Sequence, residues 1–211
     1  MKIFCQNRLA IRIVPALALL AVPALAVPAP AENVAVPAEK NAPAALPKLP
    51  FDNVVGEFRQ TKTFRDVGVS VRSFGTFYVR KNRELFWNTL RPAKIGFLLS
   101  DEGAFQLIDG KKTPLPDSAR PTMQTLHAVF DAALAGNESE LARVFKISRN
   151  SENAWTLVPL AAPLASFVKK IEIRANGNLL ESVKINDASD DETLIEFFNV
   201  ADGGNGENLK P

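Results

Sequence analysis

The sequence predicts a mainly β fold with short helices: an unclosed antiparallel β-barrel, or half-barrel, with a helical lid. Three observations support this fold class. Apolar and polar side chains alternate in short segments separated by turn residues, as in an antiparallel meander. Residues 122–136 instead carry apolar side chains at helical spacing. Strands near 71–87 have large apolar groups on both faces, which favours an apolar interior that a ligand can fill.

The predicted strands follow one another with short turns between most of them. Alternation in the second strand puts Phe77 and Val79 on one face and Tyr78 and Arg80 on the other. Asp109-Gly110 and Asn176-Gly177 are typical of tight hairpins. The strands are expected at 54–64, 69–81, 84–90, 94–100, 104–108, 145–149, 154–159, 167–175, 178–185 and 192–200.

Two helices interrupt the meander. In 122–136 the apolar residues include Met123, Leu126 and Phe130, with Pro121 near the start and Gly136 near the end. A second, short helix is expected within residues 137–145. The first helix has one apolar face, so we expect it to cover the sheet as the lid.

The N-terminus has the pattern of a signal peptide. Three basic residues and no acidic ones lie within 1–31, and the apolar run at 13–26 is too short to span a bilayer. Cleavage is expected after Ala26 or Ala31, and it predicts export to the periplasm; an uncleaved membrane anchor is the alternative. The remaining boundaries are a Pro/Ala-rich linker at 32–50, the domain at 51–200 and a polar tail at 201–211.

Composition excludes several classes of function for the exported chain. Cys5 is the only cysteine and lies in the segment to be removed, which leaves no thiol for a disulfide or a thiolate metal site. Loss of that segment's three cations lowers the formal charge from +2 to −1. A near-neutral domain gives no electrostatic case for nucleic acid. No cofactor motif occurs, and we expect a monomer.

Candidate catalytic and metal-binding residues are few. His127 is the only histidine, with Asp131 four residues on, and a half-exposed helical histidine is the favoured interpretation. An envelope hydrolase that uses His127 is the alternative. Asp187, Asp190, Asp191 and Glu192 could bind calcium, but they lack EF-hand spacing and favour a solvated hairpin turn. We therefore predict no enzyme activity and no metal site.

Several motifs occur in a fixed order along the domain: Phe58-Arg59-Gln60, GTFYVRK at 75–81, Phe86-Trp87, Pro92, LLSDEG at 98–103, Ile171-Glu172-Ile173, Asn176-Gly177, Leu180, Val183, Ile185, the acidic turn, Thr193-Leu194-Ile195 and Phe198-Asn199-Val200. The ordered set, behind a signal peptide, resembles the LolA family of periplasmic lipoprotein carriers. The resemblance covers roughly residues 51–200. It implies an open barrel that shelters acyl chains of lipoproteins, or another lipid-linked cargo, between an inner-membrane donor complex and an outer-membrane acceptor.

The expected site has two parts. Apolar residues of the two-faced strands and the lid are expected to bind the ligand: Phe58, Phe77, Val79, Phe86, Trp87, Leu98, Met123, Leu126 and Phe130. In the LolA family an arginine after the Val-(basic) pair helps to latch the lid. Lys81 stands at that place here, so Arg80, Lys81 and Arg83 are the expected latch or docking residues. A sensor or regulatory module with the same fold, bound to lipid or to a partner, is the alternative function.

Overall fold

Eleven antiparallel strands form one sheet in the part of the chain that our computed structural model describes, which is residues 46, 52–80, 84–115, 136–162 and 164–204. The strands are β1 (Asn53–Phe64), β2 (Val69–Arg80), β3 (Glu84–Arg91), β4 (Ile95–Ser100), β5 (Gly103–Ile108), β6 (Lys111–Pro114), β7 (Phe145–Ser151), β8 (Ala154–Pro159), β9 (Val168–Asn176), β10 (Leu179–Asp187) and β11 (Glu192–Asp202). A short helix, α1 (Glu138–Leu141), and a 3-10 turn at Leu164–Ser166 complete the described elements.

The sheet consists of two meanders joined through the first and last strands. Its order is β6-β5-β4-β3-β2-β1-β11-β10-β9-β8-β7, with β1 paired to β11. The terminal strands β6 and β7 do not pair with each other, so the barrel is unclosed. The predicted fold class is confirmed.

Most predicted elements agree with the structure, with small differences at their ends. Strand β6 was not predicted, because its sequence KKTP has no apolar residue to alternate. Helix α1 confirms the short second helix, and the Asn137 side chain caps it by accepting a hydrogen bond from the Glu140 N–H. The predicted lid helix at 122–136 lies outside the described residues.

One face of the sheet, which we call the core face, carries the hydrophobic core. Strand alternation and register place Phe58, Phe77, Trp87 and Ile195 on this face. The core has two clusters. The first contains Val54, Phe58, Phe77, Val79, Leu85, Trp87, Phe97, Leu99 and Ile195, and the second contains Leu46, Leu141, Phe145, Trp155, Leu157, Leu164, Ile173 and Ala175.

The opposite face, the outer face, has a smaller core of its own. Tyr78, Phe86, Leu98 and Leu107 are buried there, with Val55 and Phe105 packed against them. Three consecutive residues of β3, Leu85, Phe86 and Trp87, are therefore buried on alternating sides. The N-terminal half of the sheet is apolar on both faces, as the sequence predicts.

Candidate functional site

Four aromatic rings form the centre of the first core cluster. The Phe58 ring stacks on Trp87 with 4.0 Å between centroids and 24° between planes. Phe77 lies 6.0 Å from Trp87, and its ring meets Phe197 edge-on at 5.4 Å. Stacked and edge-to-face pairs of this kind are favourable and hold each ring in one orientation. Strands β1, β2, β3 and β11 each contribute one ring, so the cluster fixes their relative positions.

Two glycines make room for these rings. A Cβ on Gly75 would lie 2.6 Å from the Phe58 ring and 2.0 Å from the backbone oxygen of Asn88. A Cβ on Gly56 would lie 2.7 Å from the Phe77 ring. Each ring therefore packs directly against a glycine of the neighbouring strand, in space that a side chain would fill. The glycine in the GTF motif is needed for packing on the core face.

The two core clusters meet along a line of half-buried apolar side chains, which we call the seam. Ile185 and Phe197 pack against the first cluster, and Val183 and Ile171 pack against the second. The register places Ile171 opposite Ile185 and puts Val183 opposite Ile195, so the seam crosses β9, β10 and β11 on the core face. The seam is an apolar surface that the described side chains cover only in part.

The structure brings some of the expected ligand-binding residues together and separates others. Phe58, Phe77, Val79 and Trp87 lie in the first core cluster. Phe86 and Leu98 lie on the outer face, because each is one residue out of step with the core-face side chains of its strand. They cannot line the same surface as Trp87. Met123, Leu126 and Phe130 lie outside the described residues.

The expected latch is only partly described. Arg80 lies on the outer face, where its Nε donates a hydrogen bond to the Tyr78 hydroxyl at 3.0 Å. This hydrogen bond and the charge of the nearby groups raise the pKa of Arg80 above its ordinary value. Lys81 and Arg83 lie outside the described residues. This hydrogen bond lies within β2, on the face opposite to the core face.

The seam residues Phe197, Val183, Ile185 and Ile171 are not among the predicted ligand-binding residues, although the last three belong to the segments that carry the family resemblance. Alternation in β11 could have indicated Phe197, since Thr193, Ile195 and Phe197 share a face. Alternation alone does not show which of Phe197 and Phe198 lies on the core face, because both residues are aromatic. The register with β1, in which Phe58 faces Phe197, decides between them.

The acidic turn between β10 and β11 holds a buried lysine. Lys62 Nζ lies 3.3 Å from Asp187 Oδ2 and 3.8 Å from Asp191 Oδ2, and its side chain is 8% exposed. Asp187 Oδ1 also accepts hydrogen bonds from the backbone N–H groups of Ser189 and Asp191. The turn is confirmed, but the expectation of a solvated turn is wrong for Asp187, which is buried. Within the described part of the chain, no three acidic, histidine or cysteine side chains are grouped to hold a metal.

Two grooves lie mainly on the outer face. One, of about 870 Å³, is lined by apolar residues including Tyr78, Phe86 and Leu107, with Lys94 and Asp109 also in its wall. The other, of about 630 Å³, crosses the charged half of the sheet near Arg174, Glu172 and Lys184. None of the helices among the described residues has the length and apolarity to cross a membrane. His127 lies outside the described residues.

The open sheet, with an apolar core face and a seam across it, defines a barrel-type binding protein. The family model described as outer membrane lipoprotein carrier protein LolA matches residues 51–207. The chain belongs to this family.

The solved structures that match the chain are distant in sequence. A LolA superfamily protein from Nitrosomonas europaea has a TM-score of 0.41 and 10% identity, over 74% of this chain and 88% of that one. The MucA/MucB complex of Pseudomonas aeruginosa has a TM-score of 0.41 and 13% identity, over 75% of this chain and 56% of the matched one. No curated protein matches the chain.

Proposed function

We propose that the protein is a non-enzymatic periplasmic carrier that shelters acyl chains of lipoproteins, or of another lipid-linked cargo, on its core face during transfer toward the outer membrane. The observation that carries this proposal is the seam, an apolar surface that the described side chains cover only in part. Membership in the LolA family supports the same role. The signal peptide predicted at 1–31 supports export, and an inner-membrane donor and an outer-membrane acceptor complete the proposed route.

The free energy of burying an acyl chain is consistent with a carrier that binds its cargo and later releases it. Burial of one methylene is worth about 0.8 kcal/mol, so a sixteen-carbon chain is worth on the order of 12 kcal/mol relative to water. A membrane offers the chain a similar environment, so the net preference for the protein over the membrane is modest. Transfer in one direction therefore needs an acceptor that competes with the core face.

Paired substitutions on β11 test the proposal. Phe197 lies in the seam, whereas Phe198 points to the outer face and is 41% exposed. We expect Phe197→Ser to weaken binding of a fluorescent sixteen-carbon fatty acid by roughly tenfold, because it puts a hydroxyl in the apolar seam. Phe198→Ser is the matched control and should bind the probe like the wild type. Circular dichroism and urea titration of both variants confirm that each is folded at the assay temperature.

The two variants also define the contrary result. Equal probe binding by the wild type and Phe197→Ser would place the ligand elsewhere and remove the basis of the proposal. Mass spectrometry of solvent extracts from the purified protein gives a second readout. Copurified acylated lipid is expected for a carrier, and its reproducible absence together with no uptake of the probe would favour a partner-binding module.

A further inference from the structure

Strand β2 has an open edge along the five residues 69–73. β1 pairs with the whole of β2, from Phe64 opposite Val69 to Asn53 opposite Arg80. β3 pairs only with the part of β2 from Phe74 onward. Arg91 is the last residue of β3 and is followed by Pro92, which has no N–H and cannot extend the ladder. Among the described residues, 69–73 has a neighbouring strand on one side only.

This edge is exposed and is held in strand geometry. Val69 is 50% exposed and Val71 is 37% exposed, although both are β-branched residues that favour strands. The Thr63 and Ser70 hydroxyls are 2.9 Å apart across the β1–β2 pair. β1 is paired in turn with β11 as far as Thr63, opposite Glu192. The edge is therefore the open side of a preformed three-stranded segment.

The two terminal strands of the sheet differ from this edge in sequence. β6 carries Lys111, Lys112 and Pro114, and β7 carries Lys146 and Arg149. Charged residues and proline on an edge strand discourage the addition of another strand. Residues 69–73, with the sequence VSVRS, have no proline and a single charge. This edge therefore lacks the combination of charges and proline that protects β6, and it has one charge fewer than β7.

The charge beside the edge is positive. Arg72 and Arg91 are exposed, and the Arg91 guanidinium lies 5.2 Å from the centre of the Phe74 ring. Neither arginine forms a salt bridge with any residue that the structure describes. Glu196 and Glu192 of β11 lie on the same face but already have closer partners, since Glu196 pairs with Arg59 and Glu192 with Lys184. The charge of Arg72 acts on Glu196 only as a secondary influence, after the hydrogen bond and charge of Arg59, on its lowered pKa. An acidic segment is therefore the complementary partner, whereas a second copy would bring like charges together.

We propose that residues 69–73 bind an extended, acidic segment of a partner protein, which adds to β2 as a further strand. Backbone hydrogen bonds along the edge supply affinity, and Arg72 and Arg91 select for acidic side chains. This surface is separate from the seam on the core face. It goes beyond the carriage of lipid, because it gives the protein a second binding site that does not use the cargo surface.

Fluorescence anisotropy with synthetic peptides tests this docking edge. The probe is a fluorescein-labelled hexapeptide of alternating valine and glutamate. One comparison peptide has lysine in place of glutamate. Two N-methyl series carry methyl groups on alternate backbone amides, one series along each edge of the peptide strand. We expect the glutamate peptide to bind, and both the lysine peptide and one N-methyl series to bind roughly tenfold more weakly. Arg72→Glu should reverse the order of the glutamate and lysine peptides.

Lys111→Glu on β6 is the matched control, since it makes the same charge change at a different edge and should leave the order unchanged. The proposal is overturned if both N-methyl series bind as tightly as the unmodified peptide, if Arg72→Glu changes nothing, or if no peptide binds at millimolar concentration. It is also overturned if sedimentation shows that the edge instead joins two copies, with dimers lost in Arg72→Glu. Binding of anionic phospholipid vesicles without any binding of the peptide counts against it equally.

Discussion

Gly75→Ala should be among the most destabilising small substitutions in this domain. The added Cβ would lie 2.0 Å from the Asn88 backbone oxygen and 2.6 Å from Phe58. Overpacking typically costs about 1–3 kcal/mol, and the stacked Phe58–Trp87 pair that must shift is worth a further ~1 kcal/mol. The backbone oxygen cannot rotate away, so we expect a loss of about 3–4 kcal/mol. With an m-value of about 2 kcal/mol/M, the urea midpoint should fall by roughly 1.5–2 M.

Gly56→Ala provides a graded comparison in the same assay. Its closest clash is with the Phe77 ring at 2.7 Å, and the nearest backbone atom, the Phe198 oxygen, is 3.1 Å away. A side chain can move more easily than a backbone oxygen, so we expect a loss of only about 1–2 kcal/mol. Thr76→Ala, on the outer face of β2, is the control. Equal midpoints for Gly75→Ala and Gly56→Ala, or a midpoint for Gly75→Ala like that of the control, would refute the reasoning from close packing.

Two further predictions concern charged residues. Lys62→Ala should destabilise the fold by about 3 kcal/mol, because it leaves the buried Asp187 carboxylate without its cation. Urea titration measures this loss, and an unchanged midpoint would show that Lys62 does not stabilise the fold by pairing with Asp187. The hydrogen bond and charge of Arg59 lower the pKa of Glu196. The pair therefore stabilises the fold fully at pH values above the ordinary glutamate pKa of about 4.3. This stabilisation is lost as the pH falls through the lowered pKa. The difference in urea midpoint between the wild type and Glu196→Gln should therefore shrink as the pH is lowered from 6 toward 3, roughly the range in which carboxylates titrate. A difference that grew as the pH fell would show that the pKa of Glu196 is raised in the folded state.

The sequence predicts the fold well where one face of a strand is apolar and the other polar. In β2, alternation separates Phe77 and Val79 from Arg80, and the structure agrees. It fails where a strand is buried on both sides. Leu85, Phe86 and Trp87 form an unbroken apolar run, and only the pairing with β2 and β4 shows that Phe86 lies on the outer face.

Interactions between distant parts of the chain could not be predicted from local patterns. Lys62 and Asp187 are 125 positions apart, and nothing near either residue indicates that the other will neutralise it. The acidic turn therefore resembled an ordinary solvated loop. The seam was missed for the same reason, since it depends on the register that brings β9, β10 and β11 together.

The pairing of the first strand with the last one has a consequence for the timing of folding. Arg59 on β1 and Glu196 on β11 are 137 positions apart in sequence, yet they lie side by side. Contacts of such high sequence separation form slowly, because a long loop must close before they are made. While the ribosome is still extending the chain, the N-terminal meander lacks its neighbour and cannot reach its final state. The central pairing of the sheet is therefore completed only after the last strand of the domain has been synthesised.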